Sequence, residues 1–215
     1  MAHQQTAGIG RRGRAWAFQP GNFAASARIA PAGSLDAFAQ YSFVAALALH
    51  DALAAIVGHG ADIALKWPND VLINGKKACG ILLETTPRRE GRELIVGIGV
   101  NLKHAPSQSL LEPDATPPGS LAELTGISVS PEGFLGTLAN AFATRDDNLR
   151  RHGFAETRAD WLARASGLGT RIKARLPNAC HEGVFEDLDS TGALVLRTDT
   201  ARLVLPAADI YFVRD

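Results

Sequence analysis

The sequence predicts an α+β protein: a mixed or antiparallel sheet packed with helices, followed by a small all-β module. Three observations lead there. Strand patterns flank one long apolar helical pattern in the first hundred residues, helical patterns fill the middle, and everything after Thr170 reads as short strands.

Asn22 to Ile29 is the first predicted strand. Ser34 then reads as the N-cap of a long helix carrying Phe38, Tyr41, Ala45, Leu49, Ala52 and Ile56 on one face, and Gly58 ends it. In ADIALKWPNDVLINGKKACGILLETT, Pro68 breaks a strand and Asn74-Gly75 supplies a two-residue hairpin turn. Glu93 to Leu102 follows as a buried strand. The Pro- and Ser-rich stretch from Lys103 to Pro118 is loop, and Ser120 with Glu123 forms a capping-box signature for a short helix. Ser130-Pro131 opens a helix running to about Arg151, and Glu156 to Ala165 supplies the last one. Gly167 to Gly169 stops the helical part. TRIKARL, HEGVFEDL, ALVLRT, ARLVLP and DIYFV then give five strands, a barrel the size of an SH3-like module. The units predicted are residues 1–167 and 168–215.

At 215 residues and 46% hydrophobic content, the chain can bury one sizeable core and a satellite. Lys+Arg and Asp+Glu each total 22, so net charge gives no pull toward DNA or acidic membranes. Cys79 and Cys180 have neither disulfide-framework nor zinc spacing, and His50, His59, His104, His152 and His181 show no metal-ligand spacing. Without a leader-like start or an uninterrupted apolar span, a cytoplasmic protein is expected.

Three constellations carry chemistry. GIGRRGRAW sets Arg11, Arg12 and Arg14 among glycines, which suits a phosphate and equally a solvated basic tail. In KWPNDVLINGKKACGILLE, the Asn74-Gly75 turn would set Leu72 opposite Lys77. Asp70 would then lie diagonally across from Lys77 on one face, about 7 to 8 Å away at Cα, in either a cleft pair or a surface ion pair. VGIGVN places two glycines in a strand ending at Asn101, which marks close approach of a ligand or of another element. No nucleophile with a partnered base is visible, so the equipment is for positioning substrates and stabilising charge in phosphoryl or nucleotidyl chemistry.

QTAGIGRRGRAW, KWPNDVLINGKKACGILLE and VGIGVNL, in this order before a terminal β-module, resemble the bacterial biotin protein ligases over nearly the whole chain. The resemblance implies a class II aminoacyl-tRNA synthetase-like core and a two-step reaction. Biotin and ATP would give biotinyl-5'-AMP, and a lysine of the biotin carboxyl carrier protein of acetyl-CoA carboxylase would then accept the acyl group. By analogy Lys77, Asp70 and Arg11 are catalytic. Gln5, Ile9, Gly10, Arg11, Lys77 and Gly80 hold biotin, and Arg12, Arg14, Trp16, Asn69 and Asn101 hold ATP or the adenylate, with Mg2+ bridging ATP oxygens. Two departures stand out: Ile9 replaces the usual arginine, and the family's opening strand with its D-S-T-N-like biotin-contacting segment is missing. A winged helix is missing too, so no DNA-binding role is expected, whereas a sheet-edge homodimer is common in such proteins. Three alternatives remain: an inactive remnant that binds nucleotide or carrier, a lipoate-type ligase, and a nucleic-acid binder resting on the arginines.

Overall fold

A computed structural model describes residues 1–30, 35–87, 92–110, 112 and 114–213. The first sheet holds β1 (Phe23–Ile29), β2 (Ile63–Lys66), β3 (Asp70–Ile73), β4 (Lys76–Pro87) and β5 (Arg92–Val100), in the order β1-β5-β4-β3-β2, with every pair antiparallel. Asn74 and Gly75 both take positive φ, 49° and 74°, as a tight hairpin connection requires. Alternation along β5 sends Leu94, Val96 and Val100 into the core and leaves Gly97 and Gly99 on the opposite face.

The long helix predicted from Ser34 is two helices, α1 (Leu35–Ala39) and α2 (Tyr41–Val57). Gln40 keeps helical angles, but Phe43 N–H bonds back to its carbonyl at i−3, and this tightened turn interrupts the ladder. Ser34, the expected cap, lies outside the described residues. Gly58 closes α2 with φ 57°. The predicted apolar face was also too narrow, because Phe43, Ala46, Leu47 and Leu53 are buried along with Ala45, Leu49 and Ala52. Ala37–Val57 is long and apolar enough to cross a membrane by composition. Here it is a core helix, packed between the sheet and α4 (Pro131–His152) with α5 (Phe154–Leu162) beside it.

Ser120 caps α3 (Leu121–Thr125) by accepting from Glu123 N–H at 3.3 Å. The return arm of the capping box is not made: the Glu123 carboxylate accepts from Ala105 N–H at 3.5 Å instead. Ser130 caps α4 with Pro131 in its first turn, as predicted. The last helix begins at Phe154 and ends at Leu162, ahead of its predicted span, because Gly153 at φ 75° serves both as end of α4 and as entry to α5.

The five C-terminal strands are all present: β6 (Arg171–Arg175), β7 (Cys180–Leu188), β8 (Leu194–Arg197), β9 (Arg202–Leu205) and β10 (Asp209–Phe212), ordered β10-β6-β7-β8-β9. One hydrophobic cluster runs from Phe23 through α2 to Phe185, Leu196 and Ile210, so the small sheet shares its core with the large one. Phe43 meets Phe154 and Trp161 edge-on at 5.2 and 5.5 Å, and buried Trp67 donates its indole N–H to Gly192 O at 3.0 Å.

Candidate active site

The open face of the first sheet is built from register. Ala24 pairs with Gly99, Gly99 with Gly80, Gly80 with Asp70, and Asp70 with Lys66. One row therefore crosses the whole sheet: three residues with a methyl or less, then a carboxylate and an ammonium. Trp16 lies flat over the bare part of that row. A Cβ added at Gly99 would meet its indole at 2.5 Å, and one at Gly80 at 2.9 Å. The strand glycines thus admit a side chain from a loop, not a crossing helix.

The hairpin supplies the charge. Ile73 faces Lys76 and Leu72 faces Lys77 as predicted, but the ladder then slips, so Val71 opposes Cys79 and Asp70 opposes Gly80. This bulge at Ala78 is a correction to the unbroken register read from sequence. Lys77, paired with Leu72 before the slip, still shares a face with Asp70, as read from sequence, and its Nζ stands 2.7 Å from Oδ1. The Asp70 side chain is only 12% exposed, so the pair belongs to a cleft and is no surface contact. The Lys77 backbone is fixed from outside the hairpin, donating to Pro117 O and accepting from Gly119 N–H.

Above the floor, Gly8 to Trp16 closes on itself: Gly10 N–H bonds Arg14 O at 2.7 Å and Trp16 N–H bonds Gly8 O at 2.8 Å. Its tip needs positive φ at Arg12 and Gly13. The three guanidinium groups converge on Asp209 at the start of β10: Arg11 at 3.5 Å, Arg12 at 2.8 Å and Arg14 in closer contact still. Arg11 also reaches Ala208 O and Asn69 Oδ1. Burial lowers the Arg11 pKa, and Asp209 acts in the opposite direction. Glu112 links the same loop to the small sheet, accepting from Tyr211 Oη–H at 2.9 Å and pairing with Arg175.

These parts enclose a cleft of about 960 Å3. Gln5, Ile9, Gly10, Arg11, Arg14, Trp16, Asn69, Asp70, Lys77, Gly80 and Asn101 all line it. Arg12 does not; its side chain turns to Asp209. Ile9 is 59% exposed at the mouth. The Asn69 amide donates to Ile81 O at 2.6 Å and the buried Asn101 amide to Gly119 O at 3.1 Å, so both brace backbone around the cleft. Sequence reasoning assigned no role to Lys66, Glu112, Asp209 or Tyr211, which also line it. Lys66 stood inside a quoted motif, and pairing β2 with β3 would have set it beside Asp70.

A glycine-floored, arginine-roofed cleft with a Lys–Asp pair suits a flat substrate that carries negative charge. Residues 1–101 match the biotin/lipoate A/B protein ligase family, and residues 167–213 match the biotin protein ligase C-terminal domain. The chain is 51% identical to a biotin–[acetyl-CoA-carboxylase] ligase of Paracoccus denitrificans, over 99% of this chain and 89% of that one. It is 34% identical to the bifunctional ligase/repressor BirA of Bacillus subtilis, spanning 64% of that longer protein. An Aquifex aeolicus biotin protein ligase in complex with biotin and ATP superposes with a TM-score of 0.82 at 25% identity, over 99% of this chain and 87% of that one. The chain belongs to the biotin/lipoate A/B protein ligase family.

Proposed function

We propose that this chain is an ATP-dependent ligase that makes biotinyl-5'-AMP and passes the biotinyl group to a lysine of the biotin carboxyl carrier protein of acetyl-CoA carboxylase. The observation that carries this reading is the cross-sheet row: a flat floor under Trp16 that ends at the Lys77–Asp70 pair. An oxygen of biotin's carboxylate attacks the α-phosphorus of ATP and the bond to pyrophosphate breaks. Lys77 offsets the negative charge that gathers there. The carrier lysine amine then attacks the acyl carbon, AMP leaves, and Asp70 orients the amine and takes its proton. Arg11, with Gln5, Ile9, Gly10 and Gly80, holds biotin; Arg12, Arg14, Trp16, Asn69 and Asn101 hold the nucleotide. Arg12 reaches phosphate only by leaving Asp209.

Magnesium would come with the nucleotide's phosphates and offset their charge; among the described residues no three His, Cys, Asp or Glu side chains are grouped to hold a metal. Residues 1–167 form the catalytic part and 168–215 the module that closes it, and the reaction runs in the cytoplasm. A homodimer, where it forms, would use a sheet edge; the β2 edge is bonded to Arg164 and Ser166, and β1 accepts from Ala2 N–H at Ala24 O.

The test is transfer of biotin to a purified carrier domain with ATP and Mg2+, read by mass. Wild type transfers, lipoate in place of biotin does not serve, and Lys77→Met slows adenylate formation by about 10^2 to 10^3. No transfer by the wild type sinks the reading, and transfer of lipoate in preference to biotin redirects it.

A further inference from the structure

Lys66 ends β2 and closes the cross-sheet row opposite Asp70. It lines the cleft, yet the residue is only 8% exposed. Strand β10 covers it: Nζ lies 6.0 Å from the ring centre of Tyr211 and 5.8 Å from that of Phe212. Ring faces at that range offset only a small part of what desolvating an ammonium costs.

The carboxylates around it are committed elsewhere. Asp70 holds Lys77 at 2.7 Å, and Asp209 holds the three loop arginines. No carboxylate among the described residues stands at ion-pair distance from the Lys66 ammonium. The charges that act on it most are Asp70 and Asp209 of one sign and Lys77 and Arg14 of the other. Lys77 already engages Asp70, and Arg11, Arg12 and Arg14 already engage Asp209, so Lys66 pairs with neither carboxylate. Burial accordingly pulls its pKa down.

We propose that Lys66 is a phosphate-binding cation of this cleft, left without a counter-ion in the free protein so that an oxyanion of the nucleotide completes its ion pair. The proposal rests on the ligase reading above. A buried ammonium kept only to brace Tyr211 and Phe212 would stabilise the free protein. One kept for a ligand destabilises it, and the two roles differ in sign.

Lys66→Met keeps the length of the side chain and its contact with the rings while removing the charge. The unliganded variant is expected to melt about 2–4 °C above wild type. Its affinity for ATP–Mg2+ and for inorganic pyrophosphate falls about tenfold or more, while biotin alone binds within about twofold of wild type. Lys66→Arg restores part of the pyrophosphate affinity. A Met variant that melts lower, or fails to fold, makes Lys66 a strut for β10 and overturns the proposal. So does unchanged ATP and pyrophosphate affinity, and a loss confined to biotin would assign Lys66 to the carboxylate instead. Should wild type bind pyrophosphate but form no biotinyl-adenylate, the ligase reading falls and Lys66 stands. Should wild type ligate normally while the Met variant binds ATP as well as wild type does, Lys66 falls alone.

Discussion

The floor of the cleft and its roof are held by different forces. The floor is backbone: five antiparallel strands, a two-residue turn and one bulge put Gly80, Gly99, Asp70 and Lys66 in a row. The roof is side chain: apart from its internal hydrogen bonds, the Gly8–Trp16 loop rests on an indole and on three guanidinium groups gathered by Asp209. A ladder of hydrogen bonds opens only with the sheet, whereas ion pairs on half-exposed arginines exchange for another anion at little cost. The molecule thus joins a fixed surface to a removable cover, which suits a site that must admit two substrates and then keep a reactive intermediate from water.

The largest effect expected from attacking this contrast comes from the floor. In Gly99→Val, a side chain enters space where a Cβ alone would sit 2.5 Å from the Trp16 indole. The strand cannot yield, so Trp16 leaves, at a cost of about 1–3 kcal/mol. Tryptophan fluorescence reports it, because Trp67 and Trp161 are each only 1% exposed and stay put. A variant with unchanged emission but a lower melting temperature would mean that the sheet, not the loop, gives way.

A smaller effect is expected from the roof. Asp209→Asn removes the common partner of three arginines whose side chains are 25%, 36% and 47% exposed, so global stability changes by less than about 1 kcal/mol. The loop itself loosens, and trypsin cleaves after Arg11, Arg12 or Arg14 severalfold faster. Raising salt should speed cleavage of wild type toward the same rate, since exposed pairs are screened. Equal cleavage of variant and wild type at low salt would show that the internal hydrogen bonds alone hold the loop.

The same contrast decides what could be read from sequence. Strands, the Asn74-Gly75 turn, the Ser120 and Ser130 caps and the Lys77–Asp70 pair are local: each depends on residues a few positions apart. The bulge at Ala78 was not legible, because nothing in KKACG distinguishes a slipped register from a straight one until Pro117 and Gly119 bind Lys77. Nor was the break at Gln40, a residue that keeps helical angles. Asp209 was read only as the first residue of a strand. Its partner Arg12 lies 197 positions away, and no spacing rule reaches so far. Three arginines with no acid nearby in a neutral chain were the one signal that a distant carboxylate had to be found.

A third region separates burial from mere ion pairing. Behind the sheet, Arg145 on α4 bonds Asp51 on α2 at 2.6 Å and also contacts Asp160 on α5, and its side chain is 12% exposed. Burial pushes the Asp51 carboxyl up, but the hydrogen bonds and charges of His50 and Arg145 outweigh this and hold it at about 2, below its ordinary 3.8. A depressed carboxyl stabilises the fold above its unfolded pKa and loses that contribution as pH falls through the folded value. Asp51→Asn should therefore lower the urea midpoint by a constant amount above about pH 4, and the gap should close between about pH 4 and pH 2. Because Arg145 is the better buried, that gap should persist in salt that frees the Gly8–Trp16 loop. A gap that salt erases as readily would make exposure irrelevant, and the difference between roof and helical layer would have to come from loop geometry alone.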